Sequence, residues 1–147
     1  MSSNTNNKSY FIEELEIGMS AEYIRNVTQQ DIQDFANLSG DDNPVHLDEE
    51  FASQTRFEGC IAHGILSAAF ISTVIGTKLP GTGAIYLGQQ LKFIAPVRPG
   101  DTVTTTVTVT DVNTEKRRIT LETICSVNEE RVLEGEALVL VPSKASS

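Results

Sequence analysis

The apolar positions of the chain change rhythm near its middle: helical spacing between polar loops comes first, and alternation at period two follows. Ile32, Phe35 and Leu38 repeat at helical spacing behind Thr28 and Asp31, a Thr-x-x-Asp pair that resembles a capping box. Gly40 is placed to stop that helix. Asp48 is placed to cap a short second helix through Glu49, Glu50, Phe51 and Ala52, with both glutamates favourable in its first turn. The segment "HGILSAAFISTVIG", residues 63–76, carries apolar residues on nearly every face, the pattern of a helix buried all round. Gly64, Ala68, Ser72 and Gly76 give it a stripe of small side chains. Such a stripe suits close packing on a sheet or a partner helix, and it also leaves room for a ligand.

After the "PGTG" turn at residues 80–83, Ile85, Leu87, Leu91 and Phe93 alternate with Tyr86, Gly88 and Lys92. Val103, Val107 and Val109 alternate against threonines in "TVTTTVTVT", residues 102–110. Ile119, Leu121, Cys125 and Val127 share one face of a third strand, which turns Cys125 inward. Residues 133–141 read as a fourth, more uniformly apolar strand, and residues 21–27 as a fifth. "APVRPGD" (95–101) and "NTEK" (113–116) supply turns. One buried helix and about five strands joined by short turns predict an α+β fold, a mostly antiparallel sheet curled round that helix. The expectation is a single domain over residues 1–147, with flexible polar tails at about 1–9 and 143–147.

Composition narrows the classes. A chain of 147 residues with 39% apolar content holds one ordinary core. A net charge of −9 argues against a nucleic-acid surface, although a few local cations can still hold a small anion. Two cysteines are too few for a disulfide framework, and the first nine residues lack the apolar run of a secretory signal. The longest apolar stretch, around residues 65–75, is far short of a membrane span, and the C-terminal "SKASS" is not the peroxisomal signal. These features predict a soluble cytoplasmic protein with reduced thiols, bound to neither nucleic acid nor membrane.

Candidate chemistry concentrates in "SGDDNPVHLD", residues 39–48, which holds three aspartates, an Asn-Pro pair and one of two histidines. Asp41 and His46 are candidates for acid–base work, since a histidine near neutrality with a carboxylate beside it can move a proton. Asn43-Pro44 makes a rigid turn between them. A solvated turn explains the same residues, so spacing alone leaves both readings open. His63, the second histidine, is expected to support the start of the long helix, with a role as base the alternative. Cys60 and His63 bracket a possible metal or thiol site, but zinc needs three or four ligands and no second cluster stands in the sequence. Gly64 at a helix N-terminus lets a carbonyl approach unpaired N–H groups, or simply makes a tight join. Gln89, flanked by Leu87 and Leu91, needs a polar partner: the helix or a dimer interface, or else a ligand.

The run "LSGDDNPVHLDEEFA" (38–52) resembles the signature of the MaoC-like, (R)-specific enoyl-CoA hydratases. Its skeleton is small-Gly-Asp-x-Asn-Pro-aliphatic-His, with a small residue six after the histidine, and every position is met through Ala52. "IAHGILSAAFIS" (61–72) and "IYLGQQLKFIAPVRPGD" (85–101) resemble the short, polyhydroxyalkanoate-type form of that family. The likeness runs from about residue 15 to about residue 141.

The resemblance implies a hot-dog fold and a homodimer with active sites near the subunit interface. It implies reversible syn hydration of trans-2-enoyl-CoA to (R)-3-hydroxyacyl-CoA, with Asp41 rather than Asp42 paired with His46 about a water. It gives Gly64 the thioester oxygen, makes Asn43 the builder of the turn, and places Ser72 in binding or support. No metal, nicotinamide or flavin is implied, and coenzyme A arrives as part of the substrate. Without a second hot-dog repeat, short to medium acyl chains are expected. Ile65, Leu66, Phe70 and Leu87 are candidate pocket walls, Gln89 a candidate substrate contact, and Arg56, Lys78, Lys92 and Arg98 candidate partners for the CoA phosphates. The same fold also admits an acyl-CoA thioesterase or a non-catalytic acyl-CoA-binding module.

Overall fold

The computed structural model describes residues 7–145. A 3-10 turn at Ile12–Glu14 leads into β1 (Ser20–Asn26), then α1 (Gln29–Ser39), α2 (Pro44–Leu47), α3 (Glu49–Ser53) and α4 (Gly64–Thr77). Four strands complete the chain: β2 (Ile85–Phe93), β3 (Thr102–Asn113), β4 (Arg118–Val127) and β5 (Glu130–Leu140). They form one five-stranded sheet in the order β1-β3-β4-β5-β2, with every pairing antiparallel. This is the α+β arrangement, a curved sheet around a central helix, that the alternation predicts.

The sheet has one dry face. Val103, Thr105, Val107 and Val109 of β3 and Ile119, Leu121, Thr123 and Cys125 of β4 are buried, and apart from Ile124 the residues between them are polar or charged. Thr105 and Cys125, opposite one another in the register, satisfy each other at 3.3 Å. Against this face α4 sets Leu66, Ser67, Phe70, Ile71, Val74 and Ile75. The opposite side of α4 is open: Gly64, Ile65, Ala69, Ser72 and Gly76 are exposed. The expectation of a helix buried all round therefore fails within one chain, and the small-residue stripe turns outward rather than onto the sheet.

Local signals decide the helix ends. Thr28 accepts the Asp31 N–H at 3.0 Å and Asp31 accepts the Thr28 N–H at 3.0 Å, the reciprocal capping box. Gly40, at φ 83°, closes α1 in the left-handed region that glycine adopts without strain. Asp48 caps α3 through the Phe51 N–H at 3.1 Å. On α1 the buried pair is Ile32 and Ala36; Leu38, expected to continue the apolar stripe, is 86% exposed.

The β2 strand departs from simple alternation. A bulge between Tyr86 and Gly88 makes Leu87 the extra residue, and β2 lies at the sheet edge. Ile85, Leu87 and Phe93, read as one apolar face, are all exposed. Hydrogen bonds reach into the described ends of the expected tails. Lys8 and Tyr10 donate to the carbonyls of Thr77 and Pro80, and Ser143 and Lys144 bond to the Glu13 carboxylate. The rest of those tails, residues 1–6 and 146–147, lies outside the described residues.

Candidate active site

Three ends of structure meet at Asp41, His46 and His63: the loop leaving α1, the short α2, and the start of α4. The loop is built by local hydrogen bonds. Ser39 Oγ donates to the Phe35 carbonyl at 2.7 Å and accepts the Asp41 N–H at 3.1 Å. Asp41 Oδ1 accepts the Asn43 N–H at 3.3 Å, and Asn43 Oδ1 accepts the Val45 N–H at 3.1 Å. The Asp-x-Asn-Pro run is thus two successive Asx turns, the second capping α2 with proline in its first turn. His46 follows within that single helical turn and is buried, whereas Asp41 stays exposed. Asn43 is the turn-builder the sequence predicts.

The histidine tautomers follow from their partners. His46 Nδ1 stands 2.8 Å from the Ile61 carbonyl, which can only accept, so Nδ1 carries the proton and Nε2 keeps its lone pair. His63 Nε2 stands 2.9 Å from the Asp41 carbonyl and must donate likewise. The two rings stack, with centroids 3.8 Å apart and planes at 28°. Burial pushes the His46 pKa below the ordinary histidine value; the Ile61 carbonyl opposes, the His63 ring adds to the fall, and Asp41 opposes again. His46 therefore presents a neutral, accepting nitrogen at neutral pH.

Asp41, His46 and His63 bring one ligating atom each within 4.8 Å of one another, the donor set of a two-histidine, one-carboxylate centre. One nitrogen of each ring is committed to a carbonyl, which leaves a single nitrogen per histidine to face the carboxylate. The same arrangement suits holding and moving a proton.

Gly64 opens α4, and no side chain caps that helix. Its first N–H groups thus lack the usual side-chain acceptor and carry the positive end of the helix dipole. A Cβ on Gly64 would lie 2.7 Å from the Phe93 ring, so glycine lets strand and helix meet here. Beside this junction a cleft of about 440 Å³ is lined by residues that include His63, Gly64, Ile65, Arg56, Phe93 and Val132.

The other expected site residues divide. Ile65 and Arg56 reach the cleft. Leu66 and Phe70 do not line it; both belong to the core under the sheet. Leu87 sits in the β2 bulge and is exposed. Ser72, eight residues after Gly64 and so about 12 Å along the helix axis, is on the open face of α4, away from the pair within one chain. Gln89 is already engaged: its amide nitrogen donates to Thr123 Oγ1 and to the carbonyls of Gln90 and Glu136, and its oxygen accepts from Tyr86. A substrate contact there would have to displace one of these bonds, and the partners are sheet residues rather than the helix or dimer interface that the sequence suggested. Lys92 lies in a separate groove with Glu122, Arg131 and Glu134, Lys78 caps the far end of α4, and Arg98 stands by Glu49.

Burial and the adjacent Glu49 carboxylate push the Cys60 thiol up to about 11, which disfavours the thiolate that a nucleophile needs. The role expected of His63 changes: it occupies the N-cap position of α4 but makes no capping bond, and its ring serves Asp41 and His46 instead. The Ile61 carbonyl, which fixes the His46 tautomer, has no sequence signature, because every residue carries one.

Comparison with known proteins agrees with this geometry. Residues 13–131 match the family model described as MaoC like domain. An (R)-specific enoyl-CoA hydratase of Rhodospirillum rubrum is 52% identical over 92% of this chain and 94% of its own length. A 3-hydroxybutyryl-CoA dehydratase of Methylorubrum extorquens is 48% identical over 91% of this chain and 85% of its own. Among solved structures, the (R)-hydratase of A. caviae involved in PHA biosynthesis superposes with a TM-score of 0.86 at 42% identity, covering 88% of this chain and 99% of that one. Sheet, site and sequence agree: the chain belongs to the MaoC-like domain family.

Proposed function

We propose that this chain is an (R)-specific enoyl-CoA hydratase, adding water reversibly to trans-2-enoyl-CoA to give (R)-3-hydroxyacyl-CoA. One observation carries the reading. His46 Nε2 is left as a bare acceptor beside Asp41, close to the uncapped start of α4. A water held between the Asp41 carboxylate and His46 Nε2 loses a proton to His46 as its oxygen bonds C3. The C2–C3 π electrons move into an enolate, whose oxygen is stabilised by the Gly64 N–H. The imidazolium then returns its proton to C2 on the same face, which is syn addition. Asp41 orients the water and stabilises the transient charge on His46, as the opposite sign of its effect on His46 indicates.

Proton donor and acceptor both belong to the chain, so the reaction draws on no metal or redox cofactor, and coenzyme A enters only with the substrate. Arg56, at the cleft and 5.1 Å from the Phe57 ring centroid, is the best placed cation for a CoA phosphate. The Methylorubrum extorquens relative is named for a four-carbon acyl group, which supports short to medium chains. The A. caviae structure's title supports a role in polyhydroxyalkanoate precursor supply. The open apolar face of α4 and β2 favours a homodimer. Both cysteines are free and buried, consistent with a cytoplasmic setting; no helix among the described residues is long and apolar enough to cross a membrane. The test is crotonyl-CoA: loss of enoyl-thioester absorbance, only the (R) product, and no free thiol. Release of thiol without hydration would favour a thioesterase, and binding without turnover a carrier.

A further inference from the structure

We propose that His63 is a positioning residue for the proton-transfer pair, acting through its bond to the Asp41 main chain and its ring stacked on His46. The inference rests on the hydratase reading above. His63 occupies the N-cap of α4, where a side chain ordinarily accepts a first-turn N–H, yet it makes no such bond. Its Nε2 instead reaches across 22 residues of sequence to donate to the Asp41 carbonyl at 2.9 Å. The ring stacks on His46 at 3.8 Å and meets Phe35 at 4.9 Å between centroids. His63 therefore joins α1, the aspartate loop, α2 and α4 at one point.

Its second nitrogen sharpens the inference. Nδ1 of His63 is the one buried side-chain nitrogen or oxygen among the described residues that has no partner, in a residue only 3% exposed. An unpaired buried polar atom is destabilising. A ring serving packing alone would do better as phenylalanine, which has the same flat shape and no polar atom to leave unmet. The polar contact His63 does make is the one to Asp41, and Asp41 is otherwise exposed. Freeing that carbonyl lets the carboxylate leave the water it shares with His46. A displacement of about 1 Å is enough to cost roughly a hundredfold in rate.

Two substitutions separate positioning from packing. In His63→Gln the side-chain amide nitrogen falls near the place of Nε2 and keeps the donor. In His63→Phe the ring stays and the donor goes. With crotonyl-CoA, His63→Phe is expected to lower kcat by roughly ten- to a hundredfold, with KM changing much less. His63→Gln is expected to retain kcat within about fivefold. A Phe variant as fast as wild type, or a Gln variant as slow as the Phe variant, overturns the inference while leaving the function intact. A wild-type chain that hydrates no enoyl-CoA overturns both. If His63→Phe does not fold, His63→Leu takes its place with the same outcomes.

Discussion

In the proposed mechanism His46 acts as the base because of where its protons are. The Ile61 carbonyl fixes the proton on Nδ1, which leaves Nε2 free, and burial disfavours the charged ring. The lowered pKa means that His46 stays neutral to a lower pH than an ordinary histidine. Accepting a proton from water requires that neutral form, so acid inactivation begins only where His46 protonates. The acid limb of kcat/KM is therefore expected below about 6.5, the ordinary histidine value. A pH–rate profile with its acid limb above that value contradicts the assignment. At this scale the sequence showed the partners but not their contacts. Asp41 and His46 could be picked out by residue type and spacing. Their anchors could not, since Ile61 and His63 lie 15 and 22 residues away in the chain and one of the groups involved in each bond is a plain carbonyl.

Helices and strands were legible wherever a local rule decides them. The Thr28–Asp31 box, Gly40 and Asp48 set helix ends by bonds within a few residues, and those ends stand where the sequence placed them. Elements governed by what lies outside one chain, or by register, were less readable. The bulge at Leu87 shifts the phase of β2, and the two-residue turn at Asn128 and Glu129 adopts positive φ without a glycine to announce it. The uniform apolarity of α4 suggested burial on all sides, yet Ile65 on that helix is 56% exposed, as are Ile85 (54%) and Phe93 (53%) of β2. Water is a poor neighbour for such surface. A second copy covering it reconciles the apolar helix with its open face. Sedimentation is expected to give twice the 16.0 kDa chain mass, and Ile85→Lys with Leu87→Lys is expected to halve it. A wild-type chain sedimenting at the monomer mass contradicts this.

Over the whole molecule, a single antiparallel sheet supplies the rigid floor, α4 crosses it, and the loop after α1, the short α2 and the start of α4 bring Asp41, His46 and His63 together. The alternation along the second half was enough to predict that sheet, because a strand buried on one face must show period two. The path of the chain between β1 and β2, which brings residues 41, 46 and 63 together, rests on long-range packing that no single segment encodes. In the proposed reaction Asp41 and His46 together hydrate the enoyl thioester. The decisive measurement is kcat on crotonyl-CoA for Asp41→Asn and His46→Gln, each with its melting temperature measured alongside. General acid–base groups contribute about 10²–10⁴-fold, so each variant is expected to lose at least about a hundredfold while melting near the wild type. Either variant turning over at close to the wild-type rate would rule out the Asp41–His46 pair as the proton-transfer groups.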